Sequence, residues 1–437
     1  MLHAIPTEKL GPLGEPMARA VQACVHCGFC LATCPTYAEL GQEMDTPRGR
    51  IVLMKQVLEG ILPWESAQPH IDRCLGCLAC EPACPSGVAY RELINPFRVL
   101  VHSRNRAPHT PFLRRLLTSQ VMPFPRRFRL ALFAGKLARP FSRLFPKSIR
   151  PMLELLPPTV TRSREHGVLH IRQSLLTSSP TGKRRSRVAL LTGCVQQVLD
   201  PDINAATLEV LARNGVEVVI PAEQGCCGGL AWHTGDLRGA QAFARQNLAA
   251  FPDDIDAILT NAAGCGSTMH EYALILRGTP DESRAKEFCR RVMDVSAFLA
   301  RLGLREPISP CRELKAVYQD ACHLSHGQGI REQPRSLLRT IRGLQLLELP
   351  DAHLCCGSAG TYNLDQPDIA SSLGQKKARA IQASGAEVVV SGNIGCMTQL
   401  RMHLAKLGSP IRVRHTMQLL RDAYAAEVAK KPNKASC

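Results

Sequence analysis

The sequence of 437 residues contains no uninterrupted apolar run of the roughly 18–20 residues that a spanning helix needs. Its first 22 residues hold no apolar stretch and include Glu8, Lys9 and Glu15, which excludes a secretory signal there. No G-x-G-x-x-G links a strand-like run to a helix, so a flavin or nicotinamide site of the dinucleotide type is not expected on this chain. Disorder as a general state is excluded by composition, with 45% apolar and 21% charged residues. The length suits two to four domains at roughly 100–200 residues each.

Acidic residues are nearly missing from one segment. Between Arg98 and Arg187 there are 20 Lys and Arg against two acids, Glu154 and Glu165. The remainder holds 34 basic and 35 acidic residues, so the net charge of +17 belongs to that segment alone. It is also rich in proline, which breaks helices into short pieces, and its Arg and Lys alternate with Phe and Leu. Three readings compete: a linker packing its apolar side on two domains, attachment to an anionic membrane surface, or neutralisation of phosphates. No nucleic-acid module accompanies the charge, and nucleic acid is not expected as a partner.

What the sequence has in abundance is cysteine, 19 in all. They are clustered at short gaps rather than dispersed, which points to metal or redox chemistry rather than a disulfide framework. Cys24, Cys27, Cys30 and Cys34 precede Pro35, and Cys74, Cys77, Cys80 and Cys84 precede Pro85. Both runs read C-x2-C-x2-C-x3-C-P, the spacing that binds [4Fe–4S] clusters in bacterial-type ferredoxins. Three thiolates of one run wrap a cluster while the fourth reaches the neighbouring one. The expected ligand sets are therefore Cys24, Cys27, Cys30 and Cys84 for the first cluster, and Cys74, Cys77, Cys80 and Cys34 for the second. Four ligands in each compact run fit zinc poorly. The 39 residues between the runs carry a helical pattern at Ile51, Leu53, Met54, Val57 and Leu58. Arg48 and Arg50 could offset cluster charge or lie in a solvated turn, and His26 reads as a neighbour of the cluster loop.

The remaining cysteines repeat. Cys194, Cys226, Cys227 and Cys265 are matched by Cys322, Cys355, Cys356 and Cys396, with gaps of 31 and 37 residues against 32 and 39. Gly228 and Gly357 follow the vicinal pairs. A period of about 130 residues indicates two duplicated domains rather than a solenoid. Strand-like runs at 188–192, 216–220 and 257–260, and at 316–319, 344–349 and 388–391, precede the cysteines. Helical patterns at 205–213 and 336–341 lie between, so each repeat reads as a parallel α/β unit whose thiols converge beyond the strand ends. Each quartet could hold a further iron–sulfur cluster, hold zinc, or run thiol chemistry. Cys289, Cys311 and Cys437 have no counterparts. His233, His323, His353 and His415 could carry protons, but loop or core positions are the plainer reading.

These features resemble the iron–sulfur subunit family of glycolate oxidase (glycolate dehydrogenase) complexes. The resemblance spans nearly the whole chain and rests on CVHCGFC at 24–30, CPTY at 34–37, PRGRI at 47–51, HLCCGSAGTY at 353–362 and NIGC at 393–396. The wider group includes heterodisulfide reductase subunits and the iron–sulfur subunit of anaerobic glycerol-3-phosphate dehydrogenase. One departure is that Thr268 and Gln399 stand where the heterodisulfide reductase pattern supplies a fifth cysteine.

The expected fold class is an α+β multidomain chain: a helix-rich two-[4Fe–4S] ferredoxin domain (1–100), a basic linker (101–187), two duplicated α/β Cys-Cys-Gly domains (188–310 and 311–425) and a tail (426–437). The resemblance implies electron transfer from FAD on partner subunits, where glycolate becomes glyoxylate, through two clusters to an acceptor such as membrane quinone. It implies a location on the cytoplasmic face of the membrane. Rival readings are the same role for lactate or glycerol 3-phosphate, a thiol–disulfide enzyme, and a zinc scaffold.

Overall fold

The computed structural model describes residues 4–103, 116–138, 140, 182–305, 313–350, 352 and 354–430, with side chains to residue 424. Most of the basic segment lies outside the described residues, as do Cys311, His353 and Cys437.

The N-terminal unit is helical. Pro35 and Pro47 each open a helix, Pro35–Leu40 and Pro47–Leu58, at a position where the missing amide N–H has no partner to lose. Thr46 caps the second helix, its hydroxyl accepting from the Gly49 amide at 3.0 Å. Ile51, Met54 and Leu58 fall on one side of that helix and bury against three others. These are Gly14–Gln22 through Met17 and Val21, Trp64–Asp72 through Ile71, and Arg91–Ser103 through Leu93, Ile94 and Phe97.

The first repeat forms an all-parallel sheet from β1 (Ser186–Leu191), β2 (Val216–Val219), β3 (Ala257–Thr260) and β4 (Val292–Asp294), in the order β2-β1-β3-β4. The second repeats it with β5 (Leu314–Tyr318), β6 (Leu344–Leu347), β7 (Val388–Val390) and β8 (Arg412–Arg414), in the order β6-β5-β7-β8. Val188 to Leu191 are at most 1% exposed, as expected of a central parallel strand covered on both faces. The strand order reverses direction at β1 and at β5, so each sheet opens a crevice at its carboxyl edge. The edge strands β4 and β8 are absent from the sequence expectations, because three residues are too few to display an alternation.

The two repeats share one core. The helices Asp202–Arg213 and Thr416–Lys430 cross, burying Ala206, Val210 and Leu211 with Met417, Leu420 and Tyr424. The fold is thus the α+β arrangement expected, a helix-rich N-terminal domain followed by two α/β repeats.

Candidate cluster-binding and thiol sites

The two cysteine runs adopt the same loop. The third and fifth positions of each are left-handed: His26 (φ 56°) and Gly28 (φ 86°) in the first, Gly76 (φ 64°) and Leu78 (φ 60°) in the second. Each run thus fills one of these positions with glycine and tolerates a side chain at the other, at a cost of roughly 1–2 kcal/mol. His26 is therefore a backbone position, and its carbonyl accepts from Arg48 Nη1 at 3.2 Å.

A small hollow, partly open to solvent, is lined by Cys24, Cys27 and Cys30 and, from the other run, by Cys84 and Cys80. Burial pushes the Cys30 thiol up to about 11, with Cys24 and Cys84 adding to the rise. Cys27 is exposed. In the second group Cys34 and Cys74 are buried and Cys77 and Cys80 half-buried. Burial raises Cys77 and Cys80 well above the ordinary thiol range, and Cys74 and Cys34 press both in the same direction. Burial pushes Cys74 up as well, but the Arg50 and Arg98 guanidiniums and the Gly76 amide bring it below its usual value. Cys84 thus stands with Cys24, Cys27 and Cys30 around the first hollow, with Cys80 on its wall, while Cys34 lies within electrostatic reach of Cys77 and Cys80.

Arg50 is 1% exposed, which removes the solvated-turn reading for it. It approaches Cys34 Sγ at 3.9 Å, donates to the His70 carbonyl at 2.7 Å and to Thr36 Oγ1 at 3.0 Å, and pairs with buried Asp45 at 3.4 Å. Arg48 is partly exposed and pairs with Glu43 at 2.6 Å. Arg98 is counted with the basic segment in the sequence, yet it is a joint of the fold. It donates to the carbonyls of Cys74 at 2.7 Å, Ile71 at 3.3 Å and His233 at 3.3 Å.

In the repeats the thiols do converge beyond the strand ends. Cys194 Sγ lies 3.3 Å from Cys226 Sγ. Hydrogen bonds from Cys226 and Cys265 draw Cys227 well below the ordinary thiol range. Cys355 and Cys396 do the same to Cys356, so the two quartets share one electrostatic pattern. Gly357 makes the vicinal turn at φ 84°, and a Cβ there would meet the Ala370 carbonyl at 2.5 Å. Among the described residues, no group of three or more His, Cys, Asp or Glu converges on one point suited to a single ion.

The ferredoxin unit docks on both repeats, its second cysteine run on the second of them. His323 Nε2 donates to the Gly76 carbonyl at 3.0 Å, and Tyr362 donates to the Arg73 carbonyl at 2.8 Å. Leu75 and Cys77 pack with Cys322, Cys355 and Tyr362. From the first repeat, His233 Nδ1 donates to Asn95 Oδ1 at 3.2 Å, and its ring lies 5.4 Å from that of His323. His415 is a core residue: burial holds it down to about 4, and its Nδ1 accepts from the Met417 amide at 3.1 Å. Cys289 donates to the Met269 carbonyl and joins neither quartet.

Residues 20–88 match the 4Fe-4S dicluster domain family, and residues 188–270 and 316–401 match the Cysteine-rich domain family. The chain is 37% identical to the glycolate oxidase iron-sulfur subunit of Escherichia coli (strain K12) over 414 residues, covering 93% of this chain and 95% of that one. The chain belongs to the glycolate oxidase iron–sulfur subunit family. A second member of this family, the probable glycolate oxidase iron-sulfur subunit of Bacillus subtilis (strain 168), is 36% identical over 92% of this chain and 93% of its own length. Lactate utilization protein A of Geobacillus kaustophilus is 30% identical over 54% of this chain and 98% of its own. The family and the dicluster domain identify the chain as an iron–sulfur electron-transfer subunit of an oxidoreductase. Among the described residues no helix is long and apolar enough to cross a membrane.

Proposed function

We propose that this chain carries electrons away from glycolate as it is oxidised to glyoxylate on separate FAD-bearing subunits. Cys24, Cys27, Cys30 and Cys84 would hold one [4Fe–4S] cluster, and Cys74, Cys77, Cys80 and Cys34 the other. Such a cluster, when bound, takes up and releases one electron at a time. The observation that carries the reading is the crossed arrangement of the two cysteine sets within one helical unit. The polypeptide holds the thiols in fixed loops, shields Cys34 and Cys74 from water, and supplies Arg50 and Arg98 as positive charge beside Cys74.

Exposure gives the arrangement a direction. The first set lies at the surface, with Cys27 exposed and Val25 and Phe29 beside it 66% and 68% exposed. The second set is more covered, with Cys34 and Cys74 buried and the loop around Cys77 packed on the second repeat. Partner flavin subunits would meet the chain at the first set. The quartets Cys194, Cys226, Cys227, Cys265 and Cys322, Cys355, Cys356, Cys396 would be further iron–sulfur, zinc or redox-thiol sites. The 3.3 Å approach of Cys194 to Cys226 is what favours the second reading, a thiol–disulfide enzyme.

The decisive test uses the complex purified without oxygen through this chain. Glycolate is expected to bleach the iron–sulfur absorption within the enzyme's turnover time. Bleaching by lactate or glycerol 3-phosphate alone would keep the electron-carrying role and change the substrate. No bleaching by any of the three, in a complex that dithionite still reduces, would favour thiol chemistry.

We further propose attachment to the cytoplasmic face of a membrane with quinone as acceptor; contact with lipid is the part that the helix Pro125–Ala138 supports. One side of it is seated on the first repeat, where Phe128 and Leu132 pack with Val198 and Leu199. Leu130, Phe133 and Leu137, at the i, i+3, i+7 spacing of a second side, are exposed, and Arg126, Arg127 and Arg129 are exposed beside them. Apolar side chains flanked by cations suit the boundary of an anionic lipid surface. Replacing Leu130, Phe133 and Leu137 together by Asp is expected to lower co-sedimentation with anionic vesicles by about tenfold. Thermal unfolding should stay unchanged; undiminished sedimentation would remove the helix from the membrane reading.

A further inference from the structure

The seam between the ferredoxin unit and the repeats contains a carboxyl group that neither the cysteine sets nor their cations explain. Glu271 follows the helix Ala263–His270 of the first repeat and is 4% exposed. Its Oε2 accepts from Trp232 Nε1 at 2.5 Å and from Asn95 Nδ2 at 3.1 Å. Asn95 belongs to the ferredoxin unit, so this contact crosses the interface. Its amide oxygen in turn accepts from His233 Nδ1 at 3.2 Å. The His233 ring lies against that of His323, and His323 Nε2 donates to the carbonyl of Gly76, inside the loop between Cys74 and Cys77. A line of contacts, hydrogen-bonded except where the His233 ring meets that of His323, thus connects Glu271 with the backbone of the second cysteine loop.

Two atoms of this line have spare capacity. Among the described residues, neither Glu271 Oε1 nor His233 Nε2 has a hydrogen-bond partner, and both are buried. With Oε2 receiving two N–H donors, Oε1 is the oxygen open to a proton. The charged neighbours are few. From the ferredoxin unit come Arg91 and Glu81, themselves paired at 2.5 Å. From the repeats come His270, the preceding residue, His233, which burial keeps neutral, and the Cys289 thiol, which burial raises. Tyr272, next in sequence, turns instead to Asn247 and the Cys227 carbonyl.

On the electron-transfer reading above, we propose that Glu271 takes up one proton when one electron arrives at the site of Cys34, Cys74, Cys77 and Cys80. The electron comes from reduced flavin of the partner, or from dithionite in the isolated chain. The proton comes from solvent, and a carboxylate becomes a carboxylic acid. No other bond is made or broken. The physical reason is that a buried seam tolerates added negative charge poorly, so charge at the cysteine loop favours the neutral carboxyl. The group is already poised for this. Burial raises Glu271 to about 7, against the opposing pull of Trp232, Arg91 and Asn95, with Glu81 adding to the rise. Below that value the carboxyl is protonated in both redox states. Above it, reduction draws a proton in.

The test is an anaerobic redox titration of the full, cluster-loaded chain between about pH 5 and about pH 9, each cluster followed by its paramagnetic spectrum. The second-site spectrum is assigned as the one retained in Cys84→Ser. Its midpoint potential should be flat at low pH. Above about pH 7 it should fall towards the one-electron, one-proton limit, tenfold in electron affinity or about 59 mV per unit. Glu271→Gln should abolish the slope while leaving the spectrum intact. Trp232→Phe removes a donor to the carboxylate and should move the onset to higher pH; it carries the test where the Gln variant fails to load. A flat wild-type profile on a normal, reducible spectrum overturns this proposal alone, as does a slope that survives Glu271→Gln. Absence of a reducible second-site spectrum overturns it together with the reading it rests on.

Discussion

Cys84→Ser is expected to empty the site formed by Cys24, Cys27 and Cys30, although Cys84 stands 54 positions further along than the last of these. The cavity beside the first run is lined by Cys84, so the substitution removes the fourth thiolate of that site and none from the other. Iron bound after anaerobic reconstitution should fall by about half. The spectrum that survives should be that of the buried site. Cys34→Ser should do the converse, sparing the exposed site, because Cys34 presses on Cys77 and Cys80. Its effect on folding should also be larger, since Cys34 lies in the buried network of Thr36, Asp45 and Arg50. If Cys84→Ser instead removed the buried site's spectrum, each run would hold its own four ligands, and the crossed assignment would fall.

The second large effect is expected from Arg50→Ala. Burial alone would lower the guanidinium, but the Cys74 and Cys34 thiols and the Asp45 carboxylate hold it well above its ordinary value, so it is cationic at every pH of interest. Removing it leaves Asp45, 0% exposed, with only His70 at 3.1 Å and Arg73 at 3.1 Å for compensation. Stranding one member of a buried ion pair costs about 3–5 kcal/mol, and the two remaining partners place this case near the lower end. Thermal unfolding of the ferredoxin unit should fall by several degrees. The potential of the buried site should become more negative, since the cation that favours its reduced form is lost. Arg50→Lys should recover the charge, but not the fork that reaches His70, Thr36 and Asp45 together. An unchanged potential in a folded Arg50→Ala protein would show that the guanidinium serves packing alone.

These two residues mark what a sequence displays and what it hides. The cysteine runs were legible because their ligands are close in sequence and the spacing itself is the geometry. The repeats were legible because duplication shows as matched gaps and as strand-like runs before each thiol. Arg50 was half legible: its type suggested charge compensation, but its burial depends on how the Pro47–Leu58 helix packs. The local text PRGR reads equally as a solvated turn. Arg98 was misplaced for a related reason. It begins a run of basic residues in the sequence, yet in space it faces the second cysteine loop. Glu271 gave no signal, because its partner Asn95 lies 176 positions away and the contact exists only once the ferredoxin unit has docked. Edge strands of three residues, β4 and β8, have no pattern to read.

The crossing of the helices Asp202–Arg213 and Thr416–Lys430 bears on how the chain is made. Asn214 and Tyr424, hydrogen-bonded at 3.1 Å across 210 positions, pin these helices together. A first repeat emerging from the ribosome has every strand of its sheet but lacks the cover for Ala206, Val210 and Leu211. Contacts of such long separation form late, after the loop-closure entropy between them has been overcome. The first-made half therefore waits, with an apolar flank uncovered, for the last-made helix, and the two repeats reach the native state as one cooperative unit.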